Sequence, residues 1–109
     1  EFWYANGNIQ ESGNFIEGKM NGVWSFWDSL GELIENGEYK NGRPIGEHNG
    51  WYSSGGRKWK MNYQFGKLHG LYISWYENGQ PEKSGDYKNG IKDGIWNYWN
   101  EDGKKINIE

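Results

Sequence analysis

The 109-residue sequence predicts an all-β protein, a single-layer antiparallel meander of stacked β-hairpins with a 24-residue period. Three observations predict it. Segment 71–94 superposes on 47–70 and 23–46 without insertion, and 1–22 and 95–109 are partial copies. Sixteen of the eighteen glycines fall in register with that period, so they serve backbone geometry rather than loose linkers. Two tight-turn dipeptides recur in each unit, separating runs too short and too glycine-rich for helices.

With the unit numbered 1 to 24, position 5 is always tryptophan: Trp3, Trp27, Trp51, Trp75 and Trp99. Position 9 is always glycine: Gly7, Gly31, Gly55, Gly79 and Gly103. Position 17 is aromatic (Phe15, Tyr39, Tyr63, Tyr87), positions 20 and 24 are glycine, and position 15 is glycine in three of the first four copies (Gly13, Gly37, Gly85), with Met61 in the third unit. Pairs such as Asn6-Gly7 and Asn78-Gly79 at positions 8–9, and Asn41-Gly42 and Asn89-Gly90 at 19–20, are strong hairpin signals. Each unit therefore reads as two antiparallel strands, giving about nine strands in all.

The first unit begins at position 3, so its first strand is short and leaves an exposed edge. The second is aromatic in its first strand (Trp24, Phe26, Trp27) and acidic in its second (Glu32, Glu35, Glu38). Pro44 falls at a strand start, where its missing N–H is tolerated. The third unit deviates, with His48, Gly50, Trp59 and Met61 at positions 2, 4, 13 and 15. A turn centred on 8–9 sets position 2 opposite 15 and 4 opposite 13. Trp24 then covers Gly37 and Tyr72 covers Gly85, while the pair Gly50–Trp59 exchanges the bulk of Phe26–Glu35 between strands. The same counting sets each position 5 tryptophan opposite position 12. It yields a ladder Trp3, Gln10, Trp27, Ile34, Trp51, Lys58, Trp75, Glu82, Trp99, Ile106, with Lys58 in cation–π contact between Trp51 and Trp75. Ile106 and Ile108 alternate toward that face in the last strand.

The residues Gly70 to Gly79, read as G-x-Y-x-x-W-Y-x-N-G, and Tyr87-Lys88-Asn89-Gly90 resemble the MORN repeat. The likeness spans the chain and is nearest the bacterial variant of the YwqK-type antitoxin family. That resemblance implies a repeat scaffold that binds other proteins, with a neutralised toxin as one such partner. It also implies, as an alternative, an adaptor for anionic lipid or a membrane surface.

Only 34% of residues are hydrophobic, but 18% are aromatic, so indole and phenol rings must supply the burial. Such a thin core makes neighbouring units depend on one another. The net charge of −3 favours no nucleic acid partner. With no cysteine there are no disulfides or thiolate metal sites, and the compartment stays open. The chain opens inside a unit, on glutamate, and is expected to be one repeat domain, 1–109, cut from a longer protein.

No nucleophile motif or phosphate loop is present, and His48 and His69 lack metal-ligand spacing, so they read as surface or partly packed residues. No enzyme activity, cofactor or metal is expected. The one chemical anomaly is the centre. From His48 to Tyr76 there is no acidic residue, while Arg57, Lys58, Lys60 and Lys67 all fall there. These four, with Trp59, Tyr52 and Tyr76, are the candidate partner-binding residues, because aromatics and arginine anchor interfaces. Open edges also allow a homodimer, and a tryptophan row suits a carbohydrate-binding module as a further alternative.

Overall fold

The structure, a computed structural model, describes residues 2–106. They form one antiparallel sheet with extents of 44 × 32 × 14 Å. Its strands are β1 (Phe2–Trp3), β2 (Ile9–Ile16), β3 (Lys19–Trp27), β4 (Leu33–Lys40), β5 (Arg43–Trp51), β6 (Arg57–Gln64), β7 (Lys67–Leu68), β8 (Gly70–Trp75), β9 (Pro81–Lys88), β10 (Ile91–Trp99) and β11 (Lys105–Ile106). Spatial order follows chain order. The short β7 and β8 are one line broken at His69, and both pair with β6. The meander thus has ten lines of strand among the described residues, one more than the repeat count suggests. Ile108 lies outside the described residues.

The two turn signals produce different turns. At positions 19–20 both residues have positive φ: Glu17 and Gly18 (52°, 79°), Asn41 and Gly42 (53°, 81°), Phe65 and Gly66 (52°, 78°), Asn89 and Gly90 (52°, 86°). These are two-residue type I′ loops, whose twist matches that of the strands. At positions 6–9 the loop is longer than the dipeptide suggests. Gly7 N donates to Tyr4 O (2.9 Å) and Tyr4 N to Asn8 O (2.8 Å), and the same pair of bonds recurs at Asp28, Tyr52, Tyr76 and Asn100. Each is a three-residue loop ending in a left-handed glycine.

That longer loop corrects part of the expected register. Trp24↔Gly37, Phe26↔Glu35, His48↔Met61, Gly50↔Trp59 and Tyr72↔Gly85 all pair as expected. Closer to the loop the register slips by one. The tryptophans face position 11: Trp3↔Ile9, Trp27↔Leu33, Trp51↔Arg57, Trp75↔Pro81 and Trp99↔Lys105. In the first four units position 12 is left as a bulge residue, and in the last Ile106 pairs with Tyr98, so the ladder through Gln10, Ile34, Lys58, Glu82 and Ile106 does not form. The bulge residue turns to the opposite face instead: Ser74 Oγ donates to Glu82 Oε1 (3.0 Å), and Lys58 lies over Tyr52.

One face is a layer of rings. Trp24 packs edge-on against Phe15, His48 sits edge-on between Tyr39 and Tyr63, and Trp96 contacts Tyr72, Tyr87 and Tyr98. The position 2 rings cover a glycine of the preceding unit, not of their own hairpin. A Cβ on Gly13, Gly37 or Gly85 would collide with the ring of Trp24, His48 or Trp96 respectively. The expected covering of Gly37 by Trp24 and of Gly85 by Tyr72 is therefore displaced by one unit, although the backbone pairs are right. Each ring nitrogen then reaches the next carbonyl of that preceding unit: Trp24 Nε1 to Asn14 O (3.1 Å), His48 Nε2 to Glu38 O (2.9 Å), Trp96 Nε1 to Asp86 O (3.0 Å). Since a carbonyl only accepts, His48 carries its proton on Nε2. His48 is 5% exposed, a core residue rather than a surface one, while His69 is half-buried. Pro44 is the second residue of β5, beside the turn, as its chemistry requires.

The opposite face is polar. Ser12, Ser25, Asn36, Asn49, Lys60, Ile73, Ser84 and Asn97 pair successively across the sheet. Further ties span a full unit. The hydroxyls of Tyr4, Tyr52 and Tyr76 donate to the carbonyls of Trp27, Trp75 and Trp99 (2.8, 2.7 and 2.7 Å).

Replacing Gly85 by alanine should cost about 2 kcal/mol, because its Cβ overlaps the Trp96 indole. Gly56→Ala, whose nearest neighbour is 4.0 Å away, should stay within about 0.5 kcal/mol of the parent. Urea denaturation reads both. Burial pushes the Tyr39 and Tyr63 phenols above their usual value near 10. The unfolded chain then loses these protons first, so their stabilisation is whole below that pH and is lost as pH rises through the raised values. The urea midpoint should fall above pH 10, and less steeply in Tyr39→Phe with Tyr63→Phe.

Candidate interaction surfaces

The central candidates lie on β6 and the loop before it, and the fold sorts them into different surroundings. Arg57, brought opposite Trp51 by the register slip, lays its guanidinium 4.2 Å from the Trp75 ring. Lys58 was expected between Trp51 and Trp75; its ammonium instead lies 5.5 Å from the Tyr52 ring on the other face. Lys60 pairs with Glu47 at 3.4 Å, the one ion pair among the described residues. Trp59 lies over Gly50, whose missing side chain leaves it room.

Tyr52 and Tyr76 are inter-unit ties through their hydroxyls, so they serve the stack first. Lys67 stands apart, beside the type I′ turn at the far hairpin edge. Two concavities flank the centre. A notch of ≈130 Å³ on the polar face is lined by Asn49, Trp51, Arg57, Lys60 and Trp75, with Gly50 and Trp59 behind. A broader one of ≈440 Å³ involves Glu35, Tyr52, Lys58, Trp59 and Glu77.

A second surface escapes a reading along the chain. Positions 18 and 21 flank every type I′ turn, and stacking brings Lys19, Lys40, Arg43, Lys67 and Lys88 onto one edge of the sheet. The stems of Lys19, Arg43 and Lys67 lie near the next unit's turn glycine: a Cβ on Gly66 would stand 3.5 Å from Arg43 Cδ. None of the five has an ion-pair partner among the described residues. A concavity of ≈370 Å³ opens between Lys19, Lys40, Arg43, Ile45 and Phe65. Phe65 is 82% exposed and holds φ at 52°, a conformation costly for a bulky residue. The signal in the sequence was there, one or two cations per unit at fixed positions, but only the stacking of units adds them up.

The opposite edge, made of the three-residue loops, is acidic, with Asp28, Glu77, Glu101 and Asp102. Asp28 stands where units one, three and four have the tying tyrosine. Its Oδ1 accepts the N–H groups of Leu30 and Glu32 (3.0 Å each) and its Oδ2 accepts Ser53 Oγ (2.9 Å). The bond from Glu32 N–H contributes most to holding its carboxyl below the usual range. Among the described residues, no three His, Asp or Glu side chains gather as a metal site.

No curated protein matches the chain. A family pattern does, in three segments, 1–17, 20–41 and 68–89, which together cover more than half of it. The unmatched stretch 42–67 contains most of the deviant third unit, yet it builds the same strands in the same register as its neighbours. Sequence pattern and open hairpin sheet agree, and the chain belongs to the MORN repeat variant family.

Proposed function

We propose that the chain is a non-enzymatic scaffold that binds a protein partner at its centre. The observation that carries this reading is the group formed by Trp51, Arg57 and Trp75, with Trp59 behind it. Tryptophan and arginine in a partly desolvated notch are the residues that dominate interfaces. With no carboxylate between His48 and Tyr76, the centre suits a partner with acidic groups, and the family resemblance makes an antitoxin-like role with a small toxin the concrete case.

The test is co-purification with the product of the neighbouring gene. Arg57→Glu and Trp51→Phe should each weaken the complex at least tenfold while the urea midpoint stays near the parent's. Retention of full affinity in both variants overturns the reading.

A second reading, an adaptor for anionic lipid, is supported by the turn edge. Cations and an exposed phenylalanine side by side are what a charged membrane interface engages. Vesicles of phosphatidylcholine with and without phosphatidylserine would separate the two. Lys40→Glu with Arg43→Glu should abolish binding to the acidic vesicles and leave the protein complex intact. Phe65→Asn should weaken vesicle binding yet raise stability by about 1 kcal/mol, since asparagine tolerates φ near 52°.

A further inference from the structure

The polar face holds a second feature, which shares Trp51 with the protein-binding notch but not Arg57 or Trp75. Each position 5 tryptophan stands opposite position 11, close to the three-residue loops. Between consecutive units this leaves a slot of the same construction. The first slot, ≈340 Å³, is lined by Gly7, Asn8, Ile9, Trp27 and Gly31. The second, ≈310 Å³, is lined by Glu32, Leu33, Trp51 and Gly55. In both, positions 10 and 11 of one unit meet positions 5 and 9 of the next. The loop glycines bring no side chain, so the space stays open. The third place in the series is plugged, because Arg57 lies on Trp75 and leaves that ring only 7% exposed.

We infer that the two open slots bind a neutral β-linked glycan, two sugar rings to each unit of the sheet. Spacing is the first argument. Like positions of successive units are two strands apart, ~9.6 Å at ~4.8 Å per strand. An extended β-1,4-linked chain turns over at each linkage and presents the same ring face again after a closely similar distance. A fixed series of slots at that interval fits a polymer with that repeat.

The chemistry of the walls is the second argument. An indole offers a flat apolar face for the C–H side of a pyranose, and each slot is of the size that small ligands fill. Acceptors stand at the rims. Asn8 spends its amide N–H on Ser29 O (2.9 Å) and keeps its side-chain oxygen, and Glu32 has an exposed carboxylate, both suited to sugar hydroxyls.

Charge is the third. Glu32 lines the second slot and Asp28 bonds to its backbone across the loop between the two, and these carboxylates repel polyanions and leave an uncharged polyol unopposed. Trp3, 55% exposed, extends the apolar row at the other end.

The test is a titration of intrinsic tryptophan emission with glucose, cellobiose, cellotetraose and cellohexaose, repeated with chitohexaose. Affinity should rise about a hundredfold between the disaccharide and the tetrasaccharide, as the second slot engages the same chain. It should not change from low to physiological salt, which sets it apart from charge-driven docking at the centre or the turn edge. Trp27→Ala and Trp51→Ala should abolish the gain with length. Trp27→Phe and Trp51→Phe, which keep a ring, should retain the fold and part of the affinity, and Trp99→Ala should match the parent. Failure of both hexasaccharides to bind, affinity independent of length, or loss of binding with salt would each overturn the inference. None of these outcomes bears on the protein partner, because that site is read by Arg57→Glu.

Discussion

A sheet one layer thick has no second layer to bury its apolar face, so it must cover itself. It does so with a ring at position 2 that lies flat on a bare glycine of the preceding unit and hydrogen-bonds the carbonyl one residue further on. Glycine at position 15 is the condition for this, since any Cβ there occupies the space of the ring. The contact joins units rather than strands of one hairpin, which makes the ribbon cooperative along its length. The hydroxyls of Tyr4, Tyr52 and Tyr76, at the loop end of the strand in three of the units, add a second tie over the same interval.

The junction between units three and four shows what happens when the device is absent. Met61 takes the place of the glycine and Tyr72, with no ring nitrogen, takes the place of the indole. Asn62 spans part of the gap, donating through its side chain to Leu71 O (3.0 Å). The strand facing β6 is interrupted at His69 in the same stretch. Volume has moved within the unit as well, with Trp59 filling the space over Gly50. The unit that departs furthest from the family pattern thus keeps the register of its hairpin and changes the surface, and it carries the Arg57–Trp75 stack.

The repeat also separates charge. Positions beside the two-residue turns carry a cation in each of the first four units, and the acidic residues of the other edge are Asp28 and those of the last two loops, so the two long edges of the ribbon differ in charge although the whole chain is only weakly acidic. Between them lie an aromatic face that is largely spent on packing and a polar face with open tryptophan slots. Surfaces of distinct chemistry on one rigid ribbon are what a repeat scaffold offers: each unit adds the same groups at the same interval, and a substitution in one unit alters one place only.

From the sequence alone came the period, the all-β class, the strand pairs of each hairpin away from the loop, and the compensation of Gly50 by Trp59. These are local: spacing, glycine and turn chemistry act within a unit, and counting reaches them. What tertiary structure decided was the bulge at position 12, which moved Lys58 off the tryptophan row and put Arg57 there. It also decided which glycine each ring covers, the burial of His48, the basic turn edge and the series of slots. All of these depend on how one unit lies against the next. Linear counting places residues in register but cannot say toward which neighbouring strand a ring will lean, and that lean is set by where the missing Cβ leaves space.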